Sequence, residues 1–241
     1  MPVRDRSVDH ARISSVTAAV PSLPVTIAAA SGAIAGLACV PADARWLYVL
    51  AHGAGAGMRH DFMAEIAQAL AARAIATLRW ETPGRPAGTA RPDAAPLVMA
   101  LARAACAHAR ATWPDLRLCA GGKSMGGRMT SQAQAEAALP AALALVFLGF
   151  PLHPAGEPAI GRARHLADVR IPMLFVQGDR DQLAEPALLA PVVASLGDRA
   201  VVRWLPGVDH GFAAPKKAAI DPVARAADAV AEFLAALPPR A

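Results

Sequence analysis

Short apolar segments alternate with longer segments of helical periodicity along most of this chain. Residues 46–51 form a continuous apolar run, as expected of a buried parallel strand, and residues 61–73 then place apolar side chains on one helix face. The alternation continues toward the C-terminus, where further strands are predicted at residues 75–80, 116–120, 143–148, 173–177 and 201–205. Further helices are predicted at residues 94–111, 125–138 and 222–237 and after Pro186.

This alternation predicts a fold of the α/β class, with about eight strands in a mostly parallel sheet and helices on both faces. Near the start of the chain, residues 25–30 and 33–40 are two apolar runs joined at a Ser-Gly pair, which predicts a hairpin. Asp93 precedes residues 94–111 and is predicted to cap that helix. The connection between the strands at 143–148 and 173–177 is too short for a large lid domain.

The composition is that of a folded protein without a membrane span. Hydrophobic residues make up 55% and charged residues 18% of the 241 positions, which excludes a disordered chain or a coiled coil. Proline and glycine interrupt the apolar stretch over residues 137–152, which favours a buried strand over a transmembrane helix. No repeat or flexible linker divides the chain, so we expect one domain over residues 1–241, with residues 1–20 as a poorly ordered extension.

The net charge of +5 does not indicate nucleic-acid binding. Lysine occurs only at positions 123, 216 and 217, the arginines are scattered, and aromatic residues make up 5% of the chain. The sequence has no basic stripe with interleaved aromatic side chains, so we expect no nucleic-acid partner and no membrane contact.

Cysteine usage and the N-terminal segment bear on the cellular compartment. The three cysteines have no metal-ligand spacing and are expected to be reduced core residues: Cys39, Cys106 and Cys119. An uncharged stretch over residues 14–42 follows several arginines and resembles a secretory signal, but Pro21 and Pro24 interrupt it. We therefore expect the protein in the cytoplasm.

The strongest chemical signal is the glycine-rich segment over residues 121–127, which lies between a predicted strand and a predicted helix. Residues 122–126 read G-K-S-M-G and match the G-x-S-x-G nucleophile elbow, in which the flanking glycines permit a tight turn that exposes the serine. Ser124 is therefore the candidate nucleophile. The same letters resemble the end of a phosphate-binding P-loop, but Arg117 occupies the position of its first glycine, which excludes that interpretation.

A nucleophilic serine needs a general base, and the base needs a carboxylate that orients it. Where the serine lies at such an elbow, the three residues follow one another along the chain in the order serine, acid, histidine. His210 follows the last predicted strand and is the expected base, whereas His153 and His165 lie between two earlier strands. The acid is expected after the strand at 173–177, where Asp179 and Asp181 are both candidates. Asp181 is preferred because it lies two residues further into the turn that leads toward His210.

Acyl transfer also requires donors for an oxyanion, and backbone N–H groups of Met125 and Ala54 are the expected pair. Ala54 lies in a glycine-rich loop after the strand at 46–51, and His52 is expected to brace that loop. The same loop resembles a dinucleotide-binding motif followed by an acidic residue. Met58 replaces the third glycine of that motif, which argues against dinucleotide binding. The remaining predicted pocket residues are Gly53, Gly55, Glu81, Phe150 and His153.

On these motifs the chain resembles the alpha/beta-hydrolases of the dienelactone-hydrolase-like kind. More narrowly, it resembles the hydrolase-like domain family shared by a testis-expressed protein, a subunit of the nonspecific-lethal histone acetyltransferase complex and many bacterial proteins. The resemblance covers roughly residues 45–235 and depends on residues 52–55, 121–128, 149–154, 175–178 and 209–212. It implies an alpha/beta-hydrolase fold and a triad of Ser124, Asp181 and His210. Residues 78–84 depart from the relatives' Phe-Pro-Tyr pattern, so Glu81 is expected to reshape the pocket mouth.

The sequence therefore predicts a serine hydrolase that acts on a small carboxylic ester or similar acyl bond, with no cofactor and no metal. The alternative is a protein-interaction module on a hydrolase scaffold, since some relatives act within chromatin complexes and a fold does not determine a function. The sequence predicts neither the acyl and leaving groups nor the oligomeric state.

Overall fold

The computed structural model describes residues 19–84, 92–215 and 220–239, so the predicted extension over residues 1–20 lies almost wholly outside the described residues. Eight strands form one sheet: β1 (Ser22–Ile27), β2 (Ile34–Cys39), β3 (Trp46–Ala51), β4 (Ile75–Trp80), β5 (Arg117–Lys123), β6 (Ala142–Leu148), β7 (Met173–Gly178) and β8 (Ala200–Leu205). Five α-helices connect or follow them in the described residues: α1 (Asp61–Ala71), α2 (Ala95–Thr112), α3 (Met125–Glu136), α4 (Pro186–Ser195) and α5 (Pro222–Ala236).

The sheet has the strand order β1-β2-β4-β3-β5-β6-β7-β8. The pairs β1–β2 and β2–β4 are antiparallel and all other neighbours are parallel, which confirms both the predicted N-terminal hairpin and the mostly parallel sheet. Because the strands from β3 to β8 run in one direction, their C-terminal ends meet at one edge of the sheet. The loops that leave this edge carry the residues described in the next section.

Two buried clusters hold the helices against the sheet. One lies under α2, α3 and α4 and contains the rings of Phe147, Phe150 and Phe175, which contact one another at tilted or edge-to-face angles. The other lies under α1 and α5 on the opposite face. The central strands β3 and β7 are buried along their whole length because both of their faces are covered. The three cysteines are buried and unpaired, as predicted.

The connections differ from the sequence expectation in one detail and agree with it in another. The prediction that Asp93 caps α2 is wrong, because Ala94 is the N-cap residue and the Asp93 carboxylate accepts a hydrogen bond from Gly84 N at 3.1 Å instead. Residues 149–172 contain a single 3₁₀ helix (Gly161–Asp168), so no lid domain lies between β6 and β7. Among the helices of the described residues, none is long and apolar enough to cross a membrane.

Candidate active site

Ser124 lies in a strained turn between β5 and α3. Its backbone has φ +50° and ψ −118°, a conformation that non-glycine residues rarely adopt and that is typical of a nucleophile elbow. The turn also needs its glycines, because a Cβ on Gly122 would meet Ala51 O at 2.3 Å and one on Gly126 would meet His52 O at 2.4 Å. The backbone thereby brings the Ser124 side chain to the C-terminal edge of the sheet.

A hydrogen-bonded chain runs from Ser124 through His210 to Asp181. Ser124 Oγ lies 2.8 Å from His210 Nε2, and His210 Nδ1 lies 2.7 Å from Asp181 Oδ2. A carboxylate only accepts, so Nδ1 carries the proton and Nε2 is free to accept from the Ser124 hydroxyl. The imidazole therefore has the tautomer and orientation that a general base requires.

Asp181 is buried and fully engaged. Its Oδ2 also accepts a hydrogen bond from Gln177 Nε2 at 2.6 Å, and its Oδ1 accepts from Leu183 N at 2.8 Å. Asp179, the other sequence candidate, is exposed, and its Oδ1 accepts from Gly207 N at 2.7 Å. The structure thus brings Asp181 to His210 and leaves Asp179 as a turn residue that ties two loops together.

The other two downstream histidines have different partners. His153 is buried, with Nε2 at 2.6 Å from Glu185 Oε2 and Nδ1 at 2.7 Å from Pro154 O. His165 Nε2 lies 2.7 Å from Ser131 Oγ. Burial, helped by the charge of Arg128, lowers the pKa of His165 to about 4. Neither histidine contacts Ser124.

A cavity of about 180 Å³ opens beside Ser124 and His210. Gly53 and Ala54 line it, together with the aromatic ring of Phe62 from α1. Gly53 lies close enough to Ser124 that a Cβ on it would be 3.6 Å from Ser124 Cβ. Met125 is the first residue of α3, and the first N–H groups of a helix have no acceptor within it. The loop after β3 and the first turn of α3 therefore both lie beside Ser124.

His52 and Glu81 brace the loop that carries Ala54. His52 Nδ1 lies 2.8 Å from Gly53 O, and His52 Nε2 lies 3.0 Å from Glu81 Oε1. The second Glu81 oxygen accepts a hydrogen bond from Met58 N at 3.1 Å. Burial raises the pKa of Glu81, but His52 and the backbone N–H groups outweigh it, so the pKa remains below its usual value. Glu81 thus stabilises the loop between β3 and α1 through His52 and the Met58 N–H.

The predicted pocket residues do not all reach the cavity. Phe150 is fully buried in the core under α3, and His153 is held by Glu185. Gly55 adopts φ +73°, so its role is conformational. Within residues 19–84, 92–215 and 220–239, no three histidine, cysteine, aspartate or glutamate side chains converge as metal ligands.

Sequence reasoning missed two side chains that contact the hydrogen-bonded chain. Gln177 donates to Asp181, as described above, and accepts from Phe150 N at 2.8 Å. Lys123, the residue before Ser124, donates a hydrogen bond from Nζ to His210 O at 2.6 Å. For Gln177, a polar residue at the end of the predicted strand over 173–177 was the available signal, because such a position is buried and needs a partner. Lys123 lies beyond the predicted strand over 116–120, so no such signal was available for it.

The comparisons with known proteins agree with this architecture. Residues 44–236 match the sequence profile of the family described as an alpha/beta hydrolase domain. A comparison with curated proteins gave no significant match. Among solved structures, a dienelactone hydrolase from Anabaena variabilis superposes with a TM-score of 0.74 at 19% identity, covering 89% of this chain and 97% of that chain.

Two further structures have similar folds. A serine hydrolase without a lid from Xanthomonas campestris has a TM-score of 0.69 at 21% identity, with coverage of 90% of this chain and 97% of that chain. The esterase domain of a Rhodothermus marinus protein has a TM-score of 0.67 at 17% identity, with coverage of 88% and 97% respectively. At these identities the similarity concerns the fold.

Proposed function

The chain belongs to the alpha/beta hydrolase domain family, and from that premise we propose that it is a serine hydrolase that cleaves a small carboxylic ester or a related acyl bond. The observation that carries the proposal is the continuous hydrogen-bonded chain from Ser124 Oγ to His210 at 2.8 Å and from His210 to Asp181 at 2.7 Å. A strained serine in this position is costly for the fold and useful for nucleophilic catalysis.

In the proposed reaction, Ser124 Oγ attacks the acyl carbon while His210 Nε2 takes the hydroxyl proton. His210 then gives this proton to the leaving alcohol, and an acyl-enzyme remains on Ser124. A water molecule, activated by the same imidazole, attacks the acyl-enzyme and releases the acid. Asp181 stabilises the imidazolium and keeps its orientation throughout.

The oxyanion of the tetrahedral intermediate would be bound by the N–H groups of Met125 and Ala54. Met125 N belongs to the first turn of α3, whose partial positive charge also favours an anion. Ala54 lines the cavity beside Ser124, and Gly53 lets this loop approach the nucleophile closely. Donors that are fixed before the substrate arrives need no reorganisation in the transition state.

An activity-based probe tests the proposal directly. A fluorophosphonate should label the wild-type protein through Ser124 and should fail to label Ser124→Ala. Ser131→Ala is the matched control, because Ser131 also contacts a histidine but is fully buried, so this variant should be labelled like wild type. A panel of small esters, thioesters and lactones would then identify the acyl bond that is cleaved.

The opposite outcome would favour the second candidate function. If the folded wild-type protein is not labelled and hydrolyses none of the panel, the serine is unreactive and the protein is better described as an interaction module on this scaffold. Circular dichroism of each variant separates an unreactive serine from an unfolded chain.

A further inference from the structure

Lys123 places a positive charge beside the hydrogen-bonded chain of the candidate active site, in the lining of the cavity at Ser124. It is the last residue of β5 and immediately precedes Ser124. Its Nζ donates to His210 O at 2.6 Å and lies 5.2 Å from the ring centre of Phe212 and 5.9 Å from that of Phe62. The side chain therefore runs back from the strand into the loop that carries the base.

This contact gives β5 and the His210 loop a second connection. The first is the hydrogen bond between the side chains of Ser124 and His210, and the second joins the neighbouring side chain to the main chain of the same histidine. Two connections between the same pair of segments restrict both the distance and the angle of the imidazole, whereas one alone leaves a hinge. A charged donor also makes a shorter and stronger bond than a neutral one.

The surroundings of Lys123 give no simpler structural reason for a lysine there. Its ammonium makes no direct ion pair among the described residues, although Asp181 and Asp209 lie near enough to attract it. Space for it depends on Gly149, where a Cβ would lie 3.2 Å from Lys123 Nζ and 3.6 Å from Asp181 Oδ2. An apolar side chain would fill this position at a lower desolvation cost.

We propose that Lys123 is a positioning residue, which in its charged form holds His210 within reach of Ser124 and thereby sets the rate of acylation. This inference rests on the proposed function, since it concerns the same serine and histidine. Lys123 makes no hydrogen bond to Ser124 Oγ in the structure, so it acts through His210 and does not exchange the proton itself.

The proposal has a pH signature. Burial outweighs the attraction of Asp181 and Asp209 and lowers the pKa of Lys123 to about 8. Above that pH the amine is neutral and its hydrogen bond to His210 O is weaker, so acylation should slow. The other titratable side chains around this position are Asp181, Asp209, His210 and, across the cavity, His60. Deprotonation of Lys123 should therefore produce an alkaline limb in the pH profile of acylation.

The test compares Lys123→Met, Lys123→Arg and the wild type. The methionine variant keeps the length of the side chain without a donor, whereas the arginine variant keeps a permanent charge. Arg180→Met is the matched control, because it removes an exposed cation one residue from Asp181 without removing any described hydrogen bond of its side chain. The measurements are the rate of fluorophosphonate labelling, kcat and KM for a short ester from about pH 6 to about pH 10, and the thermal midpoint.

We expect Lys123→Met to lower kcat and the labelling rate by about 10²-fold, as a small displacement of a catalytic group does, with little change in KM and no fall in thermal midpoint. Lys123→Arg should recover part of the rate and lose the alkaline limb, and Arg180→Met should behave like wild type.

If the wild type is labelled, two results would overturn the inference. If Lys123→Met is labelled as fast as wild type with the same pH profile, Lys123 does not position the base. If both Lys123 variants lose activity only in proportion to a lower thermal midpoint, the residue is structural. A wild-type protein that is not labelled would overturn the proposed function and this inference with it, whereas a labelled wild type leaves the two separable.

Discussion

Both oxygen atoms of the Asp181 carboxylate are engaged, and one of them orients His210. In Asp181→Asn, the amide can present its N–H to the imidazole and so hold it in the wrong tautomer. We expect hydrolysis of a short ester to fall by up to about 10⁴-fold in kcat, as in the serine-protease template. Asp179→Asn is the control, because Asp179 contacts Gly207 N, and it should keep most of the activity. If the Asp179 variant is the inactive one, the proposed acid is wrong.

The buried charge of Lys123 should make the free energy of unfolding depend on pH. Its pKa is lowered to about 8 in the folded protein from its ordinary value of 10.5. As the pH rises, the folded protein therefore loses this proton at a lower pH than the unfolded chain does. Between these values the unfolded chain binds more protons, and stability rises with pH; below about pH 8 the full cost of the buried cation is present. The difference in free energy of unfolding between wild type and Lys123→Met should therefore shift in favour of wild type from pH 7 to pH 10. Urea unfolding at several pH values measures it, and a difference that is constant over this range would contradict the prediction.

Among single residues of the candidate site, the sequence predicts those whose place depends on local backbone geometry. The glycines around Ser124 predict a tight turn, and in the structure only glycine fits beside Ala51 O and His52 O. The contact between Lys123 and His210 joins residues 87 positions apart, and no local pattern encodes it. The sequence favours Asp181 over Asp179 only by its place in the turn. Which carboxylate reaches His210 depends on the path of that turn against the neighbouring loop.

The turn between β5 and α3 depends on close packing against the end of β3. Gly126→Ala would place a Cβ 2.4 Å from His52 O, and a backbone atom cannot move away cheaply. We expect the free energy of unfolding to fall by about 1–3 kcal/mol, and labelling of Ser124 to fall with it. Gly161→Ala is the control, because nothing lies within 4 Å of its added methyl group. Equal stabilities of the two variants in urea would show that the turn relaxes.

The loop between β3 and α1 depends on Glu81. In Glu81→Ala, the Met58 N–H loses its acceptor and the carboxylate that lies 3.0 Å from His52 Nε2 is removed, so the loop bearing Ala54 should become more mobile. We expect kcat to fall by up to about 10²-fold and the backbone amides of residues 54–58 to exchange faster with solvent. Glu65→Ala, which changes an exposed position of α1, should do neither. Faster exchange with unchanged kcat would separate this loop from catalysis.

Elements were predicted better than their ends. The order of strands and helices follows from apolar periodicity, which the buried faces of the sheet impose directly. The start of α2 did not follow, because Asp93 has a competing partner in Gly84 N and the helix begins with Ala94 as its N-cap. A carboxylate near a helix start can bond to several N–H groups, and the path of the preceding loop decides which.

Across the described part of the molecule, the short connection between β6 and β7 places no lid domain over the candidate site. The cavity at Ser124 has a volume of about 180 Å³ and no lid domain lies over it among residues 149–172. A long acyl chain would extend into solvent and gain little from burial. We expect kcat/KM to be highest for acetyl to butyryl esters and to fall with longer chains. A p-nitrophenyl ester series of increasing acyl length measures this, and a strong preference for long chains would contradict the open site.

The three side chains of the candidate site come from distant parts of the chain, and His210 follows the strand at the edge of the sheet. Ser124 and His210 are 86 residues apart, and β8 pairs only with β7. During refolding, the central strands can associate before this last strand docks, since contacts between distant segments form slowly. Until then Ser124 has no base. Recovery of a Ser124-dependent reaction would therefore report the docking of β8 and its loop, while circular dichroism reports the sheet, and a lag between the two signals would measure how late the edge of the molecule assembles.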